Sequence, residues 1–344
     1  MSDDALNCGA GGGSDTHFHL RAASPVIILI CSVSGAMFPV LAKRSSWLNV
    51  PKPVFEFAKY FGSGVIIATA FIHLLSPAID ELGSPCLSPA WQVYPYALAL
   101  SLLSIFSIFI VELVAFRWGT AKLTALNMEH DAHGHGVGSV AAHGPEGNDQ
   151  RGLEQTNGDR NYEKKNMDDV ESLQVVRNMD DNAAAQIIGV MILEFGVVLH
   201  SVLIGLTLAV NENFIVLFVV IIFHQTFEGL GLGSRLAVIQ LPPKYHYVPI
   251  VAALLYGLTT PIGIAAGLGV RTTYNPDSTK ASIVSGVLDA LSSGILIYTG
   301  LVELLAHEFL FNKEMINGSN GKLAYALSCM LFGCGIMALL GRWA

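Results

Sequence analysis

Charged residues are scarce in this sequence, at 13% of its 344 residues. Soluble globular proteins carry about 25% charged residues, so this chain has too few to cover one or two soluble domains. The scarcity excludes an ordinary cytosolic enzyme and a disordered chain. The sequence also has no run of like charge of the kind that indicates nucleic-acid binding, so nucleic acid is not an expected partner.

Cysteine is sparse as well, and its five copies show no Cys-x-x-Cys spacing. A disulfide framework or a zinc finger is therefore a weak interpretation. The net charge of −8 comes largely from two polar segments. Residues 117–182 hold seven Lys/Arg and twelve Asp/Glu, and residues 1–24 contribute a further −2. The acidity does not belong to the remainder of the chain.

Apolar residues are abundant instead, with 52% hydrophobic residues and a mean hydropathy of +0.52. A helix needs about 20 mostly apolar residues to cross a hydrocarbon core of roughly 30 Å. The 34 glycines suit packed membrane helices. We therefore predict an all-α integral membrane protein with eight transmembrane helices, at Pro25–Ala42, Val54–Leu75, Tyr94–Phe116, Ala184–Val210, Phe214–Leu232, Val248–Val270, Ile283–Ala306 and Leu323–Leu340.

One long polar segment divides the chain between the third and fourth spans. We predict a tail over residues 1–24, spans one to three over 25–116, a disordered loop over 117–183, and spans four to eight over 184–344. The loop contains the clustered imidazoles of His130, His133 and His135, which can hold Zn²⁺ loosely. The alternative is a solvated linker that happens to contain histidine.

The distribution of Lys and Arg predicts the orientation. Short loops on the side of Lys43 carry seven Lys/Arg, and those on the opposite side carry four. The richer side is cytosolic by the positive-inside rule, which puts both termini outside and the 117–183 loop in the cytosol. Cys8 and Cys86 then face the outside, where disulfides persist. We expect a Cys8–Cys86 bridge, and the alternative is two free surface thiols.

Spans four and five contain a short repeat. Aligned on His200 and His224, the two spans match at the histidine, at Gly205 and Gly229, and at the leucines that follow. Because adjacent spans run in opposite directions, this is an inverted repeat, the pattern that transporters use to build a site at the membrane midplane. The matched glycines are expected to let the two helices approach each other closely.

His224 and Glu228 stand at positions i and i+4, so both side chains leave one face of a helix. An imidazole and a carboxylate in this arrangement can hold Zn²⁺, Fe²⁺ or Mn²⁺, and His200 can complete the site. Ionisable residues inside a membrane are costly and usually functional. The simpler alternative is that each histidine donates a hydrogen bond to a carbonyl of a neighbouring helix and only holds the helices together.

Other polar residues in the spans are weaker candidates. Ser201 and Gln225 suit a supporting or weak-ligand role beside the histidines. His73 could be a ligand near the outer end of span two, or it could make a structural hydrogen bond. Glu194 lies about 9 Å from His200 along the helix and on another face, so it is a candidate for metal exit or proton relay. Partner-helix hydrogen bonds are expected for Glu112, Asp289 and Glu303.

These patterns resemble the ZIP (Zrt/Irt-like protein) family of divalent-metal transporters, in its plant and fungal plasma-membrane branch. The similarity covers His200–Gly205, His224–Gly229, Thr69–Leu75 and Asp289–Tyr298, together with the histidine-containing loop. It implies eight spans, both termini outside, transport into the cytosol, a plasma-membrane location and a homodimer within the lipid bilayer. Relatives are thought to move a bundle that holds spans four and five against a scaffold.

The sequence departs from some relatives at Ile204, where members with two bound metals carry a carboxylate. This departure favours a single site. The expected function is transport of Zn²⁺, with Fe²⁺, Mn²⁺ and Cd²⁺ as further substrates and no cofactor. The alternatives are a receptor-like metal sensor and an intramembrane metalloenzyme, although the sequence has no His-Glu-x-x-His motif for the latter.

Overall fold

The structure is a computed structural model that describes residues 8–9, 16–45, 50–124, 191–239, 241, 243–276 and 278–343. These ranges contain helices and turns and no strand. Eight of their helices are long and apolar enough to cross a membrane, which confirms the predicted fold class. In chain order they are α1 (Phe18–Arg44), α2 (Lys52–Leu82), α3 (Tyr96–Thr124), α4 (Met191–Val210), α5 (Phe214–Val238), α6 (Val248–Val270), α7 (Thr279–Leu310) and α8 (Asn320–Leu340).

Most of the helices extend beyond their predicted ends, and two of them reach into the segments predicted as the tail and the loop. α1 starts at Phe18, so residues 18–24 are helical rather than part of the tail. α3 continues to Thr124, so residues 117–124 are helical rather than the start of the loop. Hydropathy marks only the part of a helix that suits the apolar phase, whereas its polar ends extend into the headgroup region. Residues 125–183 and the predicted start of span four at Ala184 lie outside the described residues.

Arg21 explains why the first helix starts so early. Its side chain is fully buried, and its guanidinium donates hydrogen bonds to the carbonyl oxygens of Leu208, Ala209 and Asn211 at distances of 2.6–3.2 Å. The last carbonyls of a helix have no partner within the helix, and a cation there is favourable. Arg21 therefore caps the C-terminal end of α4 and holds it against α1.

α2 and α7 each change from α-helix to π-helix partway along their length. The π-helical segments are Thr69–Leu75 in α2 and Thr299–Leu310 in α7. In α2 the change has a local cause, because Pro77 has no N–H to donate to the carbonyl four residues earlier. The Ser76 N–H bonds instead to the carbonyl of Phe71, five residues back. Wide turns of this kind occur frequently at functional sites, and this one contains His73.

The helices form two bundles that meet along one seam. α1 makes its most extensive contacts with α5 and α6, while α2 lies against α8 and α3 against α7. α4 lies against α6, where Gly263 meets the backbone of Val202. We call α1, α4, α5 and α6 the first bundle, and α2, α3, α7 and α8 the second bundle. At the seam, α2 contacts α5, and the backbones of Gly62 and Gly231 touch.

The glycines matched between spans four and five do not bring those two helices together, and this prediction is wrong. A Cβ atom at Gly205 would meet the Thr260 carbonyl of α6. One at Gly229 would meet the Tyr256 ring of α6, at 3.0 Å, and the backbone of α1. The glycines therefore permit close packing inside the first bundle, of α4 against α6 and of α5 against α6 and α1.

Cys8 and Cys86 are joined by a disulfide, with their Cα atoms 5.4 Å apart. The amide of Asn275 donates to the Gly9 carbonyl at 2.7 Å, and the Thr279 hydroxyl donates to the Cys86 carbonyl at 2.9 Å. The bridge thus joins residues 8–9, the loop between α2 and α3, and the start of α7 at one end of the bundles. The remaining cysteines, Cys31, Cys329 and Cys334, are free.

Candidate metal site

His200, His224 and Glu228 come together in the interior of the bundles. The Nε2 atoms of His200 and His224 lie 3.4 Å apart, and the Nε2 of His224 lies 3.8 Å from the Oε2 of Glu228. His224 and Glu228 have no exposed surface, and His200 is 3% exposed. One ligand atom from each residue lies within 4.8 Å of the other two. Among the described residues, this trio is the one group that could hold a metal ion.

The spacing of the two imidazoles suits a tetrahedral cation. Two nitrogen ligands at about 2.05 Å from a tetrahedral Zn²⁺ stand about 3.3 Å apart, close to the observed 3.4 Å. The His224–Glu228 separation is about 0.4 Å longer than this geometry requires, which a small rotation of the Glu228 side chain would close. Three protein ligands leave a fourth position open, as in zinc sites that exchange ligands.

Buried polar atoms without hydrogen-bond partners concentrate around this trio. In the described part of the chain they include both carboxylate oxygens of Glu228, the Nδ1 of His224, the Oγ of Ser201 and both side-chain amide atoms of Gln225. A buried polar group without a partner costs on the order of 1–3 kcal/mol. A divalent cation is an acceptable partner for the carboxylate and imidazole atoms, so the donor set fits a metal ion.

Neighbouring helices fix the position of the α5 ligands. The Tyr256 hydroxyl of α6 donates to the Gln225 carbonyl at 2.7 Å and lies beside the Glu228 carboxylate. Gly229 has no side chain, so the Tyr256 ring can reach this part of α5. His224 and Glu228 are one helical turn apart on α5, and the Tyr256 contact holds this part of α5 against α6.

His73 lies beside the trio. Its ring is 4.8 Å from that of His224 in an edge-to-face arrangement, and its Nε2 is 3.0 Å from the Met337 carbonyl of α8. With the proton on Nε2, His73 donates a hydrogen bond to this carbonyl. Of the two roles considered for His73, metal ligand and structural hydrogen bond, this contact is the second. The π-helical turn of α2 therefore supports the wall of the site from the second bundle.

The other residues that the sequence suggested for the site or its surroundings lie at different positions relative to the trio. Ser201 is fully buried next to His200, whereas Glu194 lies further along α4, is half-buried and does not belong to the metal-binding group. His130, His133 and His135 lie outside the described residues. Glu112 accepts a hydrogen bond from the Tyr298 hydroxyl at 2.6 Å, which is the partner-helix contact expected for it.

Asp289 was expected only to make a hydrogen bond to a partner helix, and sequence reasoning did not connect it with the metal site. Its Oδ1 lies 3.7 Å from the Nδ1 of His200, on the side of the ring opposite the trio. Asp289 is on α7, so this contact crosses from the second bundle to the first. A carboxylate within a predicted span was the available signal, but nothing in the sequence indicated which helix it would face.

A second cluster, partly buried, joins three helices away from the trio. Glu308 of α7 pairs with Lys59 of α2, and its other oxygen lies 3.8 Å from the Nη1 of Arg235 on α5. The Nη2 of Arg235 donates to the Ser63 hydroxyl at 2.9 Å. Two cations and one carboxylate thus hold α2, α5 and α7 together across the seam between the bundles.

Comparison with known proteins relates this chain to zinc transporters. The family model described as ZIP Zinc transporter matches residues 18–341. Zinc-regulated transporter 1 of Saccharomyces cerevisiae is 42% identical over 97% of this chain and 90% of its own length. Zinc-regulated transporter 2 of the same yeast is 37% identical over 99% and 98%. Fe(2+) transport protein 1 of Arabidopsis thaliana is 33% identical over 94% and 86%.

Proposed function

This chain belongs to the ZIP zinc transporter family and transports zinc as a multi-pass membrane protein, and we propose that the ion crosses by way of His200, His224 and Glu228. The observation that carries the proposal is the buried trio, with its 3.4 Å imidazole spacing and its unpartnered carboxylate. Family membership makes the protein a transporter and not an enzyme, which excludes the alternative of an intramembrane metalloenzyme.

The trio binds an ion that has lost most of its hydration shell. Dehydration of a divalent cation is expensive, so several protein ligands have to replace the water oxygens. Two imidazoles and one carboxylate supply three ligands, and Gln225 and Ser201, the sequence neighbours of His224 and His200, have unpartnered polar atoms that could supply a fourth. An open fourth position lets ligands exchange, which favours release of the ion over permanent storage.

Alternating access is proposed from the division into two bundles. All three ligands belong to the first bundle, so they can move together with the ion relative to the second bundle. The glycine contacts inside each bundle are close, as where Gly64 meets the Met330 carbonyl, and they favour rigid units. The seam along α2 and α5 is then the surface on which the bundles slide.

Transport is directed into the cytosol in this proposal, with both termini outside. The Lys/Arg bias of the loops supports the orientation. The Cys8–Cys86 bridge adds independent support, because disulfides persist in an oxidising compartment and the bridge lies at the end assigned to the outside. A plasma-membrane location, a homodimer and a cytosolic loop that binds zinc through His130, His133 and His135 complete the proposal.

A single bound ion is proposed, because Ile204 offers no ligand. Its side chain packs against the apolar cluster that contains Leu208 and Phe218. Fe²⁺, Mn²⁺ and Cd²⁺ are further proposed substrates, since the same donor types accept these ions. The Fe(2+) transport protein among the relatives supports iron.

The test uses purified protein in sealed liposomes that contain a zinc-sensitive dye. His200→Ala, His224→Ala and Glu228→Gln should each reduce Zn²⁺ uptake to the level of protein-free liposomes while the protein remains folded. Glu212→Gln changes an exposed carboxylate in the turn between α4 and α5 and serves as the matched control. Near-normal uptake in any two of the three variants would remove the basis for this site.

A further inference from the structure

We propose that Asp289 is a positioning residue that orients the His200 ring toward the ion. Because Asp289 and His200 belong to different bundles, the ability of His200 to bind the ion then depends on the relative position of the two bundles. The proposal rests on the metal site proposed above. Asp289 and His200 belong to different bundles, yet the Oδ1 of one lies 3.7 Å from the Nδ1 of the other. Both residues are buried, with 6% and 3% of their surface exposed.

The two nitrogens of the His200 ring have different neighbours. Nδ1 faces Asp289, whereas Nε2 lies 3.4 Å from the Nε2 of His224 at the centre of the trio. A neutral imidazole carries one N–H, and the acceptor at one nitrogen decides which nitrogen keeps the proton. A carboxylate beside Nδ1 holds the proton there and leaves the Nε2 lone pair free for the ion.

The distance of 3.7 Å is longer than the 2.7–3.2 Å of an N–H···O hydrogen bond. The pair is therefore a close polar contact that has to shorten by about 0.5 Å or more to become a hydrogen bond. A cation on Nε2 withdraws electron density from the ring and makes the Nδ1–H a stronger donor, so metal binding favours this closure. The Oδ1 atom has no hydrogen-bond partner elsewhere in the described part of the chain.

Asp289 acts through His200 and not as a ligand. The group of side chains whose ligand atoms converge contains His200, His224 and Glu228 and does not include Asp289. The carboxylate stands behind the imidazole, so the ring separates it from the ion. A carboxylate, a histidine and a metal in this order form a common arrangement in metal sites, and loss of the carboxylate typically costs 10–100-fold in metal affinity.

The position of Asp289 on α7 makes this contact dependent on the bundles. The Ser293 hydroxyl donates to that of Ser101 at 3.0 Å, and Gly294 meets the Ser101 carbonyl, so this part of α7 is fixed against α3. His200 belongs to the first bundle. A displacement of about one helical turn, roughly 5.4 Å, between the bundles would separate the carboxylate from the ring. His200 is then a pre-oriented ligand in the arrangement seen here and a less constrained one after the displacement.

The experiment compares Asp289→Ala and Asp289→Asn with the unmodified protein and with Asp80→Asn, an exposed aspartate of α2. Zinc affinity is measured by calorimetry in detergent, and the KM and maximal rate of uptake are measured in liposomes. Asp289→Ala should weaken affinity and raise KM by about ten-fold or more, with one bound ion retained. Asp289→Asn keeps an oxygen that accepts a hydrogen bond from Nδ1–H. Its zinc affinity and its KM should therefore lie between those of Asp289→Ala and those of the unmodified protein. If the Asp289→Ala protein is unstable, Asp289→Asn is compared with the unmodified protein in its place.

Two further measurements separate positioning from a general structural effect. Nitrogen-15 spectra of histidine-labelled protein should show the His200 proton on Nδ1, and in Asp289→Ala this preference should be lost. In the His200→Ala background, Asp289→Ala should cause no additional loss of affinity. Additive losses, or wild-type affinity and KM in a folded Asp289→Ala protein, would overturn the inference. Unchanged binding and uptake in His200→Ala alone would instead overturn the metal site itself, so the two failures are distinguishable.

Discussion

The Nε2 atoms of His200 and His224 lie 3.4 Å apart although the two residues are separated by 24 positions and belong to different helices. Residues 211–213 connect these helices, and so short a connection makes α4 and α5 antiparallel neighbours. Each half of the repeat therefore contributes one imidazole to the same proposed metal position. Glu228, one turn after His224, adds the negative charge that a divalent cation requires.

A carboxylate at position 204 should create a second metal position. Ile204→Glu places an acid one helical turn after His200, where both side chains share a face of α4. Elemental analysis of the purified variant should give two bound ions per chain instead of one, and competition uptake should show altered selectivity among Zn²⁺, Fe²⁺ and Cd²⁺. Ile204→Gln has similar size without the charge and should keep one ion. One ion and unchanged selectivity in the glutamate variant would show that the residue does not set the stoichiometry.

Removal of the charge on Glu308 should destabilise the protein strongly. Glu308→Gln leaves Lys59 and Arg235 as partly buried cations without the carboxylate that pairs with them. Breaking a buried ion pair by removing one partner costs about 3–5 kcal/mol. The variant should therefore lose heat stability in detergent, as followed by size-exclusion chromatography after heating.

The control for the Glu308 variant is Lys52→Ala. It breaks an exposed i,i+4 contact with Glu56, in which the Lys52 side chain is 79% exposed. Exposed pairs contribute about 0–1 kcal/mol. Equal melting behaviour of the Glu308→Gln and Lys52→Ala proteins would mean that the buried cluster does not hold α2, α5 and α7 together.

Loss of the Cys8–Cys86 bridge should lower stability and leave the metal site intact. The bridge spans 78 positions, and a disulfide of this kind typically contributes about 2–4 kcal/mol. Cys86→Ser should melt at lower temperature and still bind one Zn²⁺, whereas Cys31→Ser, at a free thiol, should melt normally. Mass spectrometry without reductant should detect the linked peptides in unmodified protein. Alkylation of both thiols under those conditions would argue against the bridge.

Asn317 tests the orientation in the membrane. Asn317-Gly318-Ser319 is the one Asn-x-Ser/Thr sequon of the chain without proline, and Asn317 is exposed in the loop between α7 and α8. That loop is cytosolic in the proposed topology, so Asn317 should carry no N-glycan after expression in a eukaryotic cell. Gly12→Asn creates a sequon with Gly13 and Ser14 in the tail, and it should be glycosylated. A glycan at Asn317 would invert the proposed orientation and remove the basis for inward transport.

The sequence by itself determined the number of membrane-crossing helices, because hydropathy is a local property that each segment carries without its neighbours. It also pointed to the trio. The i,i+4 spacing of His224 and Glu228 is set by the helix itself, and the repeat linked them to His200. These features needed no knowledge of how the helices are rotated against one another.

Only the tertiary structure decided which faces meet. It set Asp289 behind His200, turned the His73 ring toward His224, and directed Gly205 toward α6 and not toward α5. A single sequence shows that a residue lies in an apolar span, but the neighbour it faces depends on the rotation and register of two packed helices. Those are fixed by side-chain packing between segments distant in the chain, and nothing local to either segment specifies them.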